Sequence, residues 1–161
     1  GRCFYNTPWD NKAGSVMSEE QKPHFLRLAS LLGFDPATTP VSCPIPSAGK
    51  YGGALGPAQF MPKTWWDWDA GTGYKSRVEG ITGYSPASPF DNFSAFTGTA
   101  IYLNDGLRGC RAIYTTQVSQ ERCAAAKYFA GGNWKKYLNG YGASVARRAA
   151  EFQKDIDLLD S

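Results

Sequence analysis

A mainly α-helical fold with long loops stapled by disulfides is what this sequence predicts, and three observations carry that reading. No stretch alternates polar and apolar residues at a period of two, whereas several place apolar residues three and four apart. The chain has 18 glycines and 10 prolines among 161 residues, enough to punctuate those helical segments with specific turns. Its four cysteines, Cys3, Cys43, Cys110 and Cys123, stand far apart, as bridging cysteines do.

The elements follow in order. Residues 1–17 read as an irregular loop, rich in Asn, Asp, Pro and Gly. Ser18 with Gln21 forms a capping box for a helix whose apolar stripe is Phe25, Leu28, Leu31 and Leu32 and whose stop is Gly33. A proline-rich extended loop leads to Gly52-Gly53 and Gly56. Pro57 then suits the first position of a helix carrying Gln59, Phe60, Trp65 and Trp66, and the internal Pro62 must kink it or restart it. "YKSRVEGITGY" reads as a short helix with Val78 and Ile81 inward. In "FDNFSAFTGTAIYLNDG", Asp91 caps a helix, Phe93, Phe96, Ala100 and Leu103 face the core, and Gly106 ends it. Ser119 and Gly131 bound the next helix, and residues 134–138 add a turn. The last helix starts near Gly142 with Val145, Ala149, Phe152, Ile156 and Leu159 on one face.

Length suits a single domain over residues 1–161, or one domain with a short appendage. The net charge of +3, with no basic run longer than two residues, gives no nucleic-acid stripe. No apolar run approaches the ~20 residues of a membrane span. Three cysteine pairings are possible. Cys3–Cys43 with Cys110–Cys123 is the expected one, since each bridge closes a self-contained stretch; four buried free thiols are the alternative. Bridges imply an oxidising, extracytoplasmic compartment, either cell envelope or secreted. No C-x-x-C pair occurs and His24 is the single histidine, so neither a metal site nor a cofactor is expected, nor a Ser-His or Cys-His pair. The glycines of 52–56 lack the Gly-Lys-Thr ending of a phosphate loop.

Carbohydrate chemistry fits better. Sugars present flat apolar faces and rings of hydroxyls, which call for aromatic platforms and fixed amide groups. Gly52 to Gly56 would let main chain approach a ligand, and Gln59 would project a carboxamide toward it. Tyr51, Trp65, Trp66, Tyr102 and Tyr128 are the aromatic candidates, with core packing as the competing role for each.

"GGALGPAQFMPKTW" resembles the Gly-Ala-x-Gly-x-x-Gln-Phe-Met-Pro motif of lysozyme-like lytic transglycosylases. "GTAIYLND", "AAAKYFAGG" and "YGASV" are similar to later motifs of that family and arrive in its order, so the resemblance covers about Tyr51 to Val145. It implies a lysozyme-like helical domain acting on peptidoglycan glycan strands as a monomer. The implied substrate-binding residues are Gln59, Gly56, Tyr51, Phe60, Tyr102 and Tyr128. Phe129 departs from the motif, standing where the family often has Asn.

In that family one glutamic acid, kept protonated by an apolar pocket, protonates the bond between N-acetylmuramic acid and N-acetylglucosamine. The resulting carboxylate takes a proton from the sugar's own hydroxymethyl group, whose oxygen closes a 1,6-anhydro ring. The family's acid is a Glu followed by Ser, and the chain has no such dipeptide. The catalytic Glu is therefore expected before Gly1, with Glu79 as the fallback. The alternative is a non-catalytic glycan-binding or scaffold module.

Overall fold

The computed structural model describes residues 2–8, 14–45, 52–66 and 73–160. Mainly helical, it contains both expected disulfides, Cys3–Cys43 and Cys110–Cys123. The chain divides into two compact units, Gly1–Thr99 and Ala100–Ser161.

In the first unit, β1 (Arg2–Cys3) pairs antiparallel with β2 (Val41–Ser42), beside the Cys3–Cys43 bridge. Two residues are too few for an alternation to be visible in sequence. Helix α1 (Lys22–Leu32) ends at Gly33, whose φ of 71° lets its N–H reach back to the last carbonyls. The capping box does not form. Instead the Ser18 carbonyl accepts the N–H groups of Gln21 and Lys22, so the main chain rather than a side chain opens the helix. Phe25 and Leu28 are buried, while Leu31 is exposed.

Helix α2 is one turn, Pro62–Trp65, and α3 is Tyr74–Thr82. Val78 of α3 is fully buried, but Ile81 is 67 % exposed, contrary to its expected inward position. Helix α4 (Asn92–Arg111) has Asp91 as its cap, its carboxylate accepting the Ser94 N–H at 2.8 Å. Its buried face differs from the expected one. Phe93 and Phe96 are more than half exposed, and Ser94, Ala95 and Gly98 turn inward. The cause is Trp65: a Cβ on Gly98 would stand 2.7 Å from its ring, so only a face of small residues can approach.

Gly106 does not end α4. In the second unit it lies against Ala124, where a Cβ would sit 3.5 Å from the Ala124 Cα, and the helix continues to Arg111. Helix α5 (Gln117–Ala130) is capped by Thr116, not Ser119: the Thr116 side chain accepts the Ser119 N–H. Gly131 closes α5 as expected. A 3-10 segment (Gly131–Tyr137) and a π turn (Leu138–Gly142) lead into α6, Ala143–Leu159. Cys110, Cys123, Ala126 and Trp134 form the core of this unit. The expected apolar face of α6 exists but is not buried; only Ala146 of that helix is.

Candidate functional site

The segment from Gly52 is docked along the edge of the β1–β2 pair. Gly52 donates its N–H to the Val16 carbonyl, and Gly53 to that of Ser42, both at 2.9 Å. The Ser42 Oγ accepts the Ala54 N–H, and Ser42 N–H returns to the Ala54 carbonyl, again at 2.9 Å. Leu55 and Phe60 then exchange both main-chain hydrogen bonds, at 2.8 and 3.2 Å. That bridge closes a tight loop of Gly56, Pro57, Ala58 and Gln59.

This corrects the helix expected from Pro57. Gly56 has φ 62° and Gln59 has φ 58°, and a chain that turns back on itself in so few residues cannot start a helix. The helix begins at Pro62, in the first-turn position where a missing N–H costs least. Gln59 is the one non-glycine residue at positive φ among the described residues. Its N–H and its Nε2 both donate to the Gly56 carbonyl, at 3.2 and 2.7 Å, and the residue is exposed at the end of the loop, next to Phe60.

The loop rests on residues 85–90. A Cβ on Gly56 would stand 1.8 Å from the Pro89 carbonyl oxygen, and one on Gly52 would stand 2.3 Å from that of Ser42. The space these glycines vacate is therefore filled by the chain's own backbone and does not admit a ligand. Trp65 Nε1 donates to the Ala87 carbonyl at 3.3 Å, and the Trp65 ring packs on Phe60 at 5.0 Å. With Phe60 2 % and Trp65 0 % exposed, both are core, which is the competing role expected for Trp65 and corrects the substrate contact expected of Phe60.

Glu79 fastens the segment at residues 85–90. Its Oε1 accepts the Ala87 N–H at 3.0 Å and the Ser85 hydroxyl at 3.2 Å, and its Oε2 pairs with Lys75 at 3.0 Å. Burial pushes its pKa up, but the hydrogen bonds from Ala87, Lys75 and Ser85 and the Lys75 charge together outweigh that and hold it below the usual carboxylate range. A general acid needs the opposite shift, so Glu79 does not fit the fallback role. The other glutamates offer no better candidate. Glu19 and Glu20 pair with Lys22 and Lys63, and Glu151 pairs with Arg147; the side chains of all three are more than half exposed. Glu121 accepts from Gln117 at 2.7 Å.

In the second unit Tyr102 of α4 and Tyr128 of α5 come together, with ring centroids 5.3 Å apart and both rings half-buried. Burial raises the Tyr102 hydroxyl above its ordinary pKa. The motif residue Phe129 stacks on Tyr141 at 4.4 Å and 19°, with Tyr137 edge-on at 5.0 Å. Sequence reasoning met Phe129 and Tyr141 in two separate motifs and did not foresee the pair. Tyr51 lies outside the described residues.

All four cysteines are bridged, so no thiol nucleophile exists. His24 sits buried on α1. Burial first, then the Lys63 charge, lowers its pKa against an opposing pull from Glu20. Among the described residues no three His, Cys, Asp or Glu side chains are grouped to hold a metal ion, and no helix is long and apolar enough to cross a membrane. No family model, curated protein or solved structure matches the chain.

Proposed function

We propose that the chain is part of a lysozyme-like lytic transglycosylase domain that binds peptidoglycan glycan strands and cleaves them to 1,6-anhydro products, with a general acid other than its own five glutamates. The observation that carries the reading is Gln59: an exposed residue in a bridge-closed loop, held at φ 58° where an L-residue is strained. Strain kept at one exposed polar residue points to a use for that residue. A carboxamide both donates and accepts, which complements the N-acetyl group of an amino sugar. The ordered motifs from Tyr51 to Val145 support the same substrate, and the two disulfides suit a place in the cell envelope.

The second reading, a glycan-binding module without catalysis, is favoured by the glutamates. One is held well charged by Lys75 and its loop, and the rest are ion-paired or hydrogen-bonded near solvent. Co-sedimentation with purified sacculi, followed by mass spectrometry of the soluble fraction, separates the readings. Both expect this chain to bind and Gln59→Ala to bind weakly. Anhydro-ended fragments released by the full gene product favour the transglycosylase. Binding without release, by the full product too, favours the module. Failure of the chain to sediment with sacculi removes both.

A further inference from the structure

Helix α6 carries Val145, Ala149, Phe152, Ile156 and Leu159, alternately four and three residues apart. That spacing draws one seam along a helix, as in the core positions of a coiled coil. From Arg147 to Asp160 every residue is exposed, with Phe152 at 66 %, Ile156 at 49 % and Leu159 at 86 %. In proteins most of a helix's stability comes from packing its apolar face rather than from its own hydrogen bonds.

The charges on α6 point to what packs there. Arg147, paired with Glu151, and Arg148 lie toward the N-terminus, while Asp155 and Asp157, beside Lys154, and the capping Asp160 lie toward the C-terminus. This is the reverse of what the helix dipole favours, with no acid in the first turn and no base in the last. A second helix running the other way would meet basic residues with acidic ones at both ends and oppose the dipole.

We propose that α6 pairs antiparallel with α6 of a second copy, making a homodimer where sequence reading expects a monomer. The register follows from the seam. Setting Ala149 opposite Phe152 places Val145 opposite Ile156, and Arg148 then flanks Asp155 of the other copy, twice by symmetry. Neither Arg148 nor Asp155 has an ion-pair partner among the described residues. A parallel pair would instead bring Asp155 beside Asp160 and leave Arg148 facing Gln153, which is repulsive at one site and idle at the other.

Sedimentation velocity of the intact chain across a wide concentration range tests this, with circular dichroism as the check on folding. The expected result is a concentration-dependent dimer that Phe152→Asp converts to monomer. Asp155→Arg separates the two orientations: the antiparallel pair weakens about tenfold, whereas a parallel pair would tighten. Adding Arg148→Glu to Asp155→Arg restores the antiparallel pair. A chain that stays monomeric at the highest concentration, or a dimer that Asp155→Arg strengthens, overturns the proposal.

Discussion

Replacing Gln59 with Gly and, separately, with Ala separates its backbone from its side chain. Both variants lose the carboxamide and its 2.7 Å bond to the Gly56 carbonyl, so that loss cancels between them. What differs is the backbone at φ 58°. Alanine keeps the left-handed strain, of about 1–2 kcal/mol, while glycine is free of it. Against that, glycine leaves the unfolded chain more freedom, which costs about 0.4–1 kcal/mol. The difference favours Gly over Ala by about 0.5–1 kcal/mol, or roughly 1–4 °C in Tm for a chain of this size. Thermal and urea melts at neutral pH read it, and sacculus binding is measured on the same samples. Both variants are expected to bind weakly. An Ala variant at least as stable as the Gly variant refutes the strained turn, and full binding by either refutes the carboxamide as the contact.

Other substitutions probe the support beneath that turn. Gly56→Ala drives a Cβ into the Pro89 carbonyl and strains φ 62°, and is expected to cost about 2–4 kcal/mol in a urea melt. Gly80→Ala, inside α3 with nothing within 4 Å, is the control and should gain up to about 1 kcal/mol. Glu79→Gln weakens the Lys75 pair and is expected to cost about 1–2 kcal/mol at pH 7. Because the folded pKa of Glu79 is depressed, its contribution is complete above the unfolded value of about 4.3 and fades as pH falls through the folded one. Urea midpoints of the two proteins should therefore converge in acid, and a gap that persists or widens there contradicts the assignment. Removing the Cys3–Cys43 bridge, which spans 40 residues, should cost about 4 kcal/mol, and the 13-residue Cys110–Cys123 bridge about 3, by loop-closure entropy. Equal melting temperatures with and without reductant would show that neither bridge contributes.

Signals made by nearby residues were legible in the sequence. Gly33 and Gly131 stop their helices, Asp91 caps α4, and the disulfide pairs are those that close self-contained stretches. The phase of α4 was not legible. Phe93 and Phe96 are spaced as a core stripe should be, yet Trp65 leaves room only for Gly98 and its small neighbours. The stripe on α6 was read correctly as one face, but no periodicity says whether a face is covered from within the chain. Gln59 was misread for a related reason. Pro57 is a good first residue for a helix in isolation, and what prevents one is the exchange between Leu55 and Phe60 across the loop. The candidate residues were legible as chemistry; their surroundings depended on contacts distant in sequence.

The loop at residues 85–90 ties these observations together. Ala87 takes the Glu79 carboxylate on its N–H and the Trp65 indole on its carbonyl, and the Pro89 carbonyl presses on Gly56. Trp65 in turn packs on Phe60, whose main chain closes the loop that carries Gln59. Each of these groups is buried or half-buried, whereas Gln59 is exposed, its carboxamide held against the Gly56 carbonyl. A recognition group works best when its neighbours fix it before the ligand arrives. On that reasoning, and taking Gln59 as the proposed glycan contact, the loss of Glu79 should weaken binding through Ala87 by freeing the turn while leaving the Gln59 carboxamide chemically intact. Glu79→Gln would then bind sacculi less well than the unaltered chain at neutral pH. Undiminished binding in a measurably destabilised Glu79→Gln chain would mean that the turn holds Gln59 without help from Glu79.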